Sequence, residues 1–177
     1  LLAIAMTDLG SICERRLARL IDPTLSYGLP RNLLAGKRGL NTGFATVQCS
    51  LSALVMENRT LSSPGSVDSI PGKSNAEDHV SNSTWCGRKA RTIVENVEMI
   101  IAGEILMACQ ALSLIAETAK AHPLGKGTQA ALDAVRETIP PALDGDRWYA
   151  AEMNEATALV RSGAIVEAVE AVVGALE

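Results

Sequence analysis

The stretch STWCGRKARTIVENVEMIIAGEILMACQALSLIAETA, residues 83–119, decides the fold. It contains no proline, and its apolar side chains recur at Ile93, Val97, Ile100, Ile101, Ile105, Ala108, Cys109 and Leu112. That spacing is one face of an α-helix, because residues three and four apart lie above one another. Ser81 or Ser83 is placed to cap its start. A helix of about thirty-five residues is roughly 50 Å long at 1.5 Å per residue. Such a helix outruns a small domain and implies a bundle in which long helices pack lengthwise.

The flanking sequence agrees. Between Leu1 and Ile21, Leu2, Met6, Leu9, Ile12, Leu17 and Leu20 mark a second helix, which Pro23 ends. The chain opens at Leu1 already inside this pattern, without Met and without a cap, as a piece of a longer polypeptide would. A loop with Gly28, Pro30, Gly36 and Gly39 leads to a third helix over 44–61, with Val47, Leu51, Leu54 and Val55 on one face. Residues 62–83 carry Pro64, Gly65, Pro71 and Gly72 and show no period; an irregular loop of that length is often functional. After His122-Pro123-Leu124-Gly125, shorter helices are expected over 128–138, 151–161 and 164–176. No strand pattern and no internal repeat is visible, so the fold class is all-α, a long antiparallel helical bundle. We divide it into a bundle segment, 1–121, and a carboxyl-terminal helical tail, 122–177.

Composition narrows the function. Of 177 residues, 47% are hydrophobic and 20% charged, the balance of a globular protein, and the net charge of -4 argues against a nucleic-acid partner. Glu95, Glu98 and Glu104 interrupt the longest apolar stretches, short of the roughly 20 residues that span a membrane. The cysteines at 13, 49, 86 and 109 show no C-x-x-C spacing and read as reduced, mostly buried thiols of a cytoplasmic protein.

Three segments, taken in order, carry more. The first is Ser11-Ile12-Cys13-Glu14-Arg15-Arg16-Leu17 with Asp22-Pro23 and Ser26-Tyr27-Gly28-Leu29-Pro30. The second is Gly39-Leu40-Asn41-Thr42-Gly43-Phe44, followed by Gln48 and Glu57-Asn58. The third is Pro64 and Ser66-Val67-Asp68-Ser69-Ile70-Pro71, leading into Glu77-Asp78-His79-Val80-Ser81. Together they resemble the aromatic amino-acid ammonia-lyases and 2,3-aminomutases, over residues 1–114 most closely.

The resemblance implies the carboxyl-terminal part of a larger lyase subunit, a homotetramer, and an aromatic amino-acid substrate that loses its amine to give an α,β-unsaturated acid. A lyase releases the ammonia, and an aminomutase returns the amine to the β-carbon. The family's cofactor is a 4-methylidene-imidazol-5-one formed from an internal Ala-Ser-Gly, which this sequence does not contain; Arg161-Ser162-Gly163 is the nearest string. The chain alone is therefore expected to be inactive.

The same resemblance makes 62–83 an active-site loop. It assigns Glu77 to catalysis beside the substrate amine, and Asn75 and Ala76 to substrate binding. A carboxylate there can take or relay the ammonium proton. The plainer reading is that Glu77 and Asp78 face the amino terminus of the next helix and favour its dipole. Ala76 stands where many relatives carry Gln or Asn, and its small apolar side chain suits the ring of tyrosine or phenylalanine. The string from Glu77 to Ser81 is nearer the histidine-lyase form. His79 reads as a hydrogen-bonded loop residue and His122 as a surface turn residue. Asn41 and Gly43 read as a turn and cap, and Glu14, Arg15 and Arg16 as a buried ion-pair network or a subunit contact. Glu104 and Gln110 read as polar contacts within the bundle. The rival from another class is a non-catalytic helical scaffold, a truncated paralogue that kept the bundle.

Overall fold

The structure is a computed structural model and describes residues 1–37, 39–67, 69–74 and 76–176, without the side chains of Thr118 and Ala119. Asn75 and the Asp68 of the third motif lie outside the described residues. The helices are α1 (Leu2–Ile21), α2 (Ala45–Leu61), α3 (Ser83–Leu114), α4 (Ala116–Ala121), α5 (Lys126–Arg136), α6 (Tyr149–Ser162) and α7 (Ala164–Val173). Among the described residues no multi-residue strand occurs, and Gly72 and Glu77 form an isolated antiparallel bridge. The all-α expectation stands.

Helix α3 is the axis. α1 and α2 pack on it and on each other, α6 lies along it as well, and α5 pairs with α7. Leu17, Leu51, Val55, Ile100, Leu106 and Met107 meet at the centre. Each fully buried side chain of this size contributes about 1.5–3 kcal/mol of transfer free energy. The burial differs from the single stripe read in the sequence. Leu106, Met107, Gln110 and Ala111 are buried, whereas Ile101, Ile105, Ala108 and Leu112 are only half-buried. The cause is that α3 has neighbours on more than one side, so no single face carries its core contacts.

Both boundaries of α3 also differ. Asn82, at φ 47°, takes the position before the helix, while the hydroxyls of Ser81 and Ser83 pair with each other at 3.3 Å. Asparagine suits that place because it tolerates a left-handed backbone. At the other end α3 stops at Leu114 instead of reaching 119, with Ile115 at ψ 23°. Ser113 donates back to the Cys109 carbonyl at 3.1 Å, a bond that bends helices, and accepts from Arg136 at 2.9 Å. By length and mean hydropathy (1.6 over its most apolar window) α3 is apolar enough to cross a membrane, which the count of interrupting charges had missed; half of that window is buried in this fold.

The segment after residue 121 is fastened to the bundle. Gln110 donates to the Ala142 carbonyl at 2.9 Å, and its own carbonyl accepts the Ala142 amide at 2.9 Å. Gln110 Nε2 also donates to the Leu33 carbonyl at 3.4 Å. Replacing Gln110 by Met keeps the volume and strands these backbone groups, at about 1–3 kcal/mol for each one left unpaired. We expect Gln110→Met to lower the thermal midpoint by several degrees, followed by circular dichroism; an unchanged midpoint would show that the amide is not the fastening.

Candidate active site

Loop 62–83 leaves the end of α2 and returns at the start of α3, and its sequence folds it into a finger. Gly65 lies against α3: a Cβ there would meet Cys86 Sγ at 2.3 Å, so a larger residue would force the thiol or the loop to shift. Lys89 Nζ holds the Ser63 carbonyl from the α3 side. Higher up, Ser69 ties the two arms together, its Oγ accepting the Val80 amide at 2.9 Å and donating to the Val80 carbonyl at 3.2 Å. The Gly72–Glu77 bridge follows, with bonds of 3.0 and 3.4 Å. Lys73 (φ 51°) and Ser74 (φ 56°) adopt the left-handed conformation that reverses the chain, and the Ala76 amide reaches the Lys73 carbonyl at 3.1 Å.

Glu77 stands on the returning arm, its side chain 48% exposed and its Oε1 2.5 Å from Lys73 Nζ. Ala76, Asp78 and His79 are exposed beside it. Glu77 and Ala76 therefore share one solvent-facing end of the bundle. The Glu77 carboxylate pairs with Lys73, ahead of the start of α3 at Ser83. Sequence reasoning passed over Lys73; its i, i+4 spacing to Glu77 was the available signal.

The other motif residues are structural. Asn41 and Gly43 form a turn, as expected, but its cap comes from far along the chain. The Asp146 carboxylate accepts the Thr42 amide at 2.5 Å and the Gly43 amide at 2.8 Å, and Asn41 Oδ1 accepts the Asp146 amide at 2.9 Å. Gly43 (φ 69°) is obligatory, since a Cβ would meet the Asn32 carbonyl oxygen at 2.4 Å. The rings of Phe44 and Tyr149 stack beside this turn, 4.4 Å between centroids. Of Glu14, Arg15 and Arg16, only Glu14 is buried, at 3% exposure; both arginines reach outward, Arg16 to Glu104 at 2.8 Å. The thiols divide evenly instead of being mostly buried: Cys13 and Cys109 are buried, Cys49 is exposed and Cys86 half-buried. Burial pushes Cys13 up to about 11 and raises Cys109, so both stay protonated.

No Ala-Ser-Gly occurs in the sequence. Arg161-Ser162-Gly163 is the bend between α6 and α7, with Gly163 at φ 78° and Ser162 Oγ donating to the Leu159 carbonyl at 3.1 Å.

The described residues thus form a helical bundle segment with a carboxylate on a closed finger at one end. The chain belongs to the aromatic amino acid lyase family, whose profile matches residues 1–137. Histidine ammonia-lyase of Symbiobacterium thermophilum is 45% identical over 176 residues, covering 99% of this chain and 33% of that protein. The solved histidine ammonia-lyase from Trypanosoma cruzi superposes with a TM-score of 0.86 at 41% identity, over 96% of this chain and 32% of that one. Tyrosine aminomutase from Streptomyces globisporus superposes with a TM-score of 0.89 at 35% identity, over 96% and 31%. The chain spans about a third of the length of the curated relatives it matches.

Glu14 offers a pH test of the framework. Burial works to raise its pKa, but hydrogen bonds from Arg15, Gln48 (2.6 Å) and Ser52 (2.8 Å) outweigh it and hold the carboxyl below its ordinary value. A depressed folded value means that the stabilisation is present above the unfolded pKa and is lost as pH falls through the folded one. Between about pH 6 and about pH 3, Glu14→Gln should therefore lose less thermal stability than the wild type. Parallel curves of midpoint against pH would rule the linkage out.

Proposed function

We propose that this chain supplies the carboxylate-bearing wall of an active site that removes the amine from an aromatic α-amino acid. The observation that carries this reading is Glu77, presented on an exposed finger in a member of the aromatic amino acid lyase family. The substrate amine arrives as an ammonium, and the Glu77 carboxylate can accept its proton so that the neutral amine reacts. A methylidene-imidazolone would supply the electrophile that draws the amine away. Since this chain does not contain the tripeptide it forms from, the chain alone is proposed to be inactive.

The exposed methyl of Ala76, next to Glu77, supports tyrosine or phenylalanine as substrate, with the amine released or returned to the β-carbon. A second reading, histidine, is supported by the names of relatives 41% and 45% identical to this chain. We further propose a homotetramer. Leu2, Ile4, Leu9 and Ile12 stand 39–59% exposed on α1, an apolar face suited to neighbouring helices. The free thiols suit a cytoplasmic setting.

In the full-length polypeptide, Glu77→Gln should lower kcat by on the order of 10²-fold or more, the scale of acid–base help. Wild-type turnover would remove the role and favour the non-catalytic scaffold. Ala76→Gln should depress kcat/KM for tyrosine and phenylalanine, because an amide facing a benzene ring loses its hydrogen bonds at about 1–3 kcal/mol. Activity on histidine should fall less or rise. Selectivity unchanged within about twofold, measured for all three amino acids, would place Ala76 outside the pocket and leave histidine the better-supported substrate.

A further inference from the structure

We propose that Lys73 is the positioning residue of Glu77: its ammonium holds the carboxylate in place on the finger until a substrate ammonium takes over that contact. The inference rests on the catalytic reading of Glu77. Three observations carry it. Lys73 Nζ lies 2.5 Å from Glu77 Oε1, a direct charge-assisted contact. The two residues flank the turn closed by the Gly72–Glu77 bridge, so one short loop both presents the carboxylate and provides its cation. Lys73 and Ser74 hold left-handed backbone angles without being glycine, a conformation that costs free energy and brings residue 73 to the same side as residue 77.

The chemistry follows from matching charges. Glu77 meets an ammonium in the free protein, and an α-amino acid carries an ammonium of the same charge. Exchange of one for the other needs no change in the charge of the carboxylate. Lys73 is 74% exposed, so its side chain has room to swing into solvent as the substrate arrives. An exposed pair of this kind adds little to stability and is weakened by salt, so its effect belongs in the kinetics.

The test is a double-mutant cycle in the full-length polypeptide, with kcat/KM measured for tyrosine, phenylalanine and histidine. Lys73→Met keeps the Cβ and the stem, hence the same backbone demand, and removes only the charge. We expect Lys73→Met to lower kcat/KM about tenfold, and Lys73→Arg to restore it to within about threefold of wild type. In the Glu77→Gln background, Lys73→Met should add less than about twofold, since it acts through a carboxylate no longer there. Added salt should lower wild-type kcat/KM towards the Lys73→Met value and leave that variant almost flat. Full additivity of the two substitutions, or a loss that Lys73→Arg does not relieve, would overturn the positioning role. Wild-type kinetics of Lys73→Met beside a damaged Glu77→Gln would overturn this inference alone, whereas wild-type kinetics of Glu77→Gln would end both readings.

Discussion

Everything in this chain is arranged around the burial of one helix. α3 runs 32 residues, and its middle and last turns are covered from more than one side, by α1 and α2 and again by α6. Gly103 shows how tight the approach is: a Cβ there would lie 2.3 Å from Leu51 of α2. Apolar contact of this kind sets the layering but not the register, because it has no direction. Register comes from a few buried polar groups on α3 and its neighbours. Gln110 fixes the segment at Ala142. Asn96 reaches Glu57 at 3.0 Å and Asn58 at 2.9 Å on α2, and Thr7 of α1 donates to the Asn58 carbonyl at 3.3 Å. A shift of one residue along any of these helices would leave these groups unpaired, and that penalty makes the arrangement unique.

Because α3 is held so firmly, both ends of the bundle are defined. At one end Asp146 caps the turn before α2 and Tyr149 covers Phe44, so the helices after residue 121 complete the fold of the segment before it. The boundary between bundle and tail drawn from composition marks a break in pattern, and the packing runs across it. At the other end Gly65 rests on Cys86 and Lys89 holds Ser63, so the finger stands on a rigid base. A loop on a fixed base is a common way to place a reactive side chain at an opening.

The helices were legible because proline and glycine punctuate them and their apolar spacing is regular. What a periodic pattern cannot show is how many neighbours a helix has, so Leu106 and Met107 were missed as core while Ile101 and Ile105 were included. Asp146 was illegible for another reason: its partners are backbone amides about a hundred residues away, and such a cap leaves no local signal. Glu77 and Ala76 were proposed as site residues through the resemblance of the surrounding motif. Lys73 could have been paired with Glu77 by spacing, but i, i+4 reasoning applies to helices, and this pair lies across a turn.

The account places one carboxylate at the reacting amine. The most direct measurement is a crystal structure of the full-length polypeptide with an aromatic amino acid bound. We expect a Glu77 carboxylate oxygen within about 3 Å of the substrate nitrogen, the reach of a proton-accepting base, with Lys73 displaced from its present contact. A bound amino acid with Glu77 still in solvent and paired to Lys73, and another group at the amine, would contradict it.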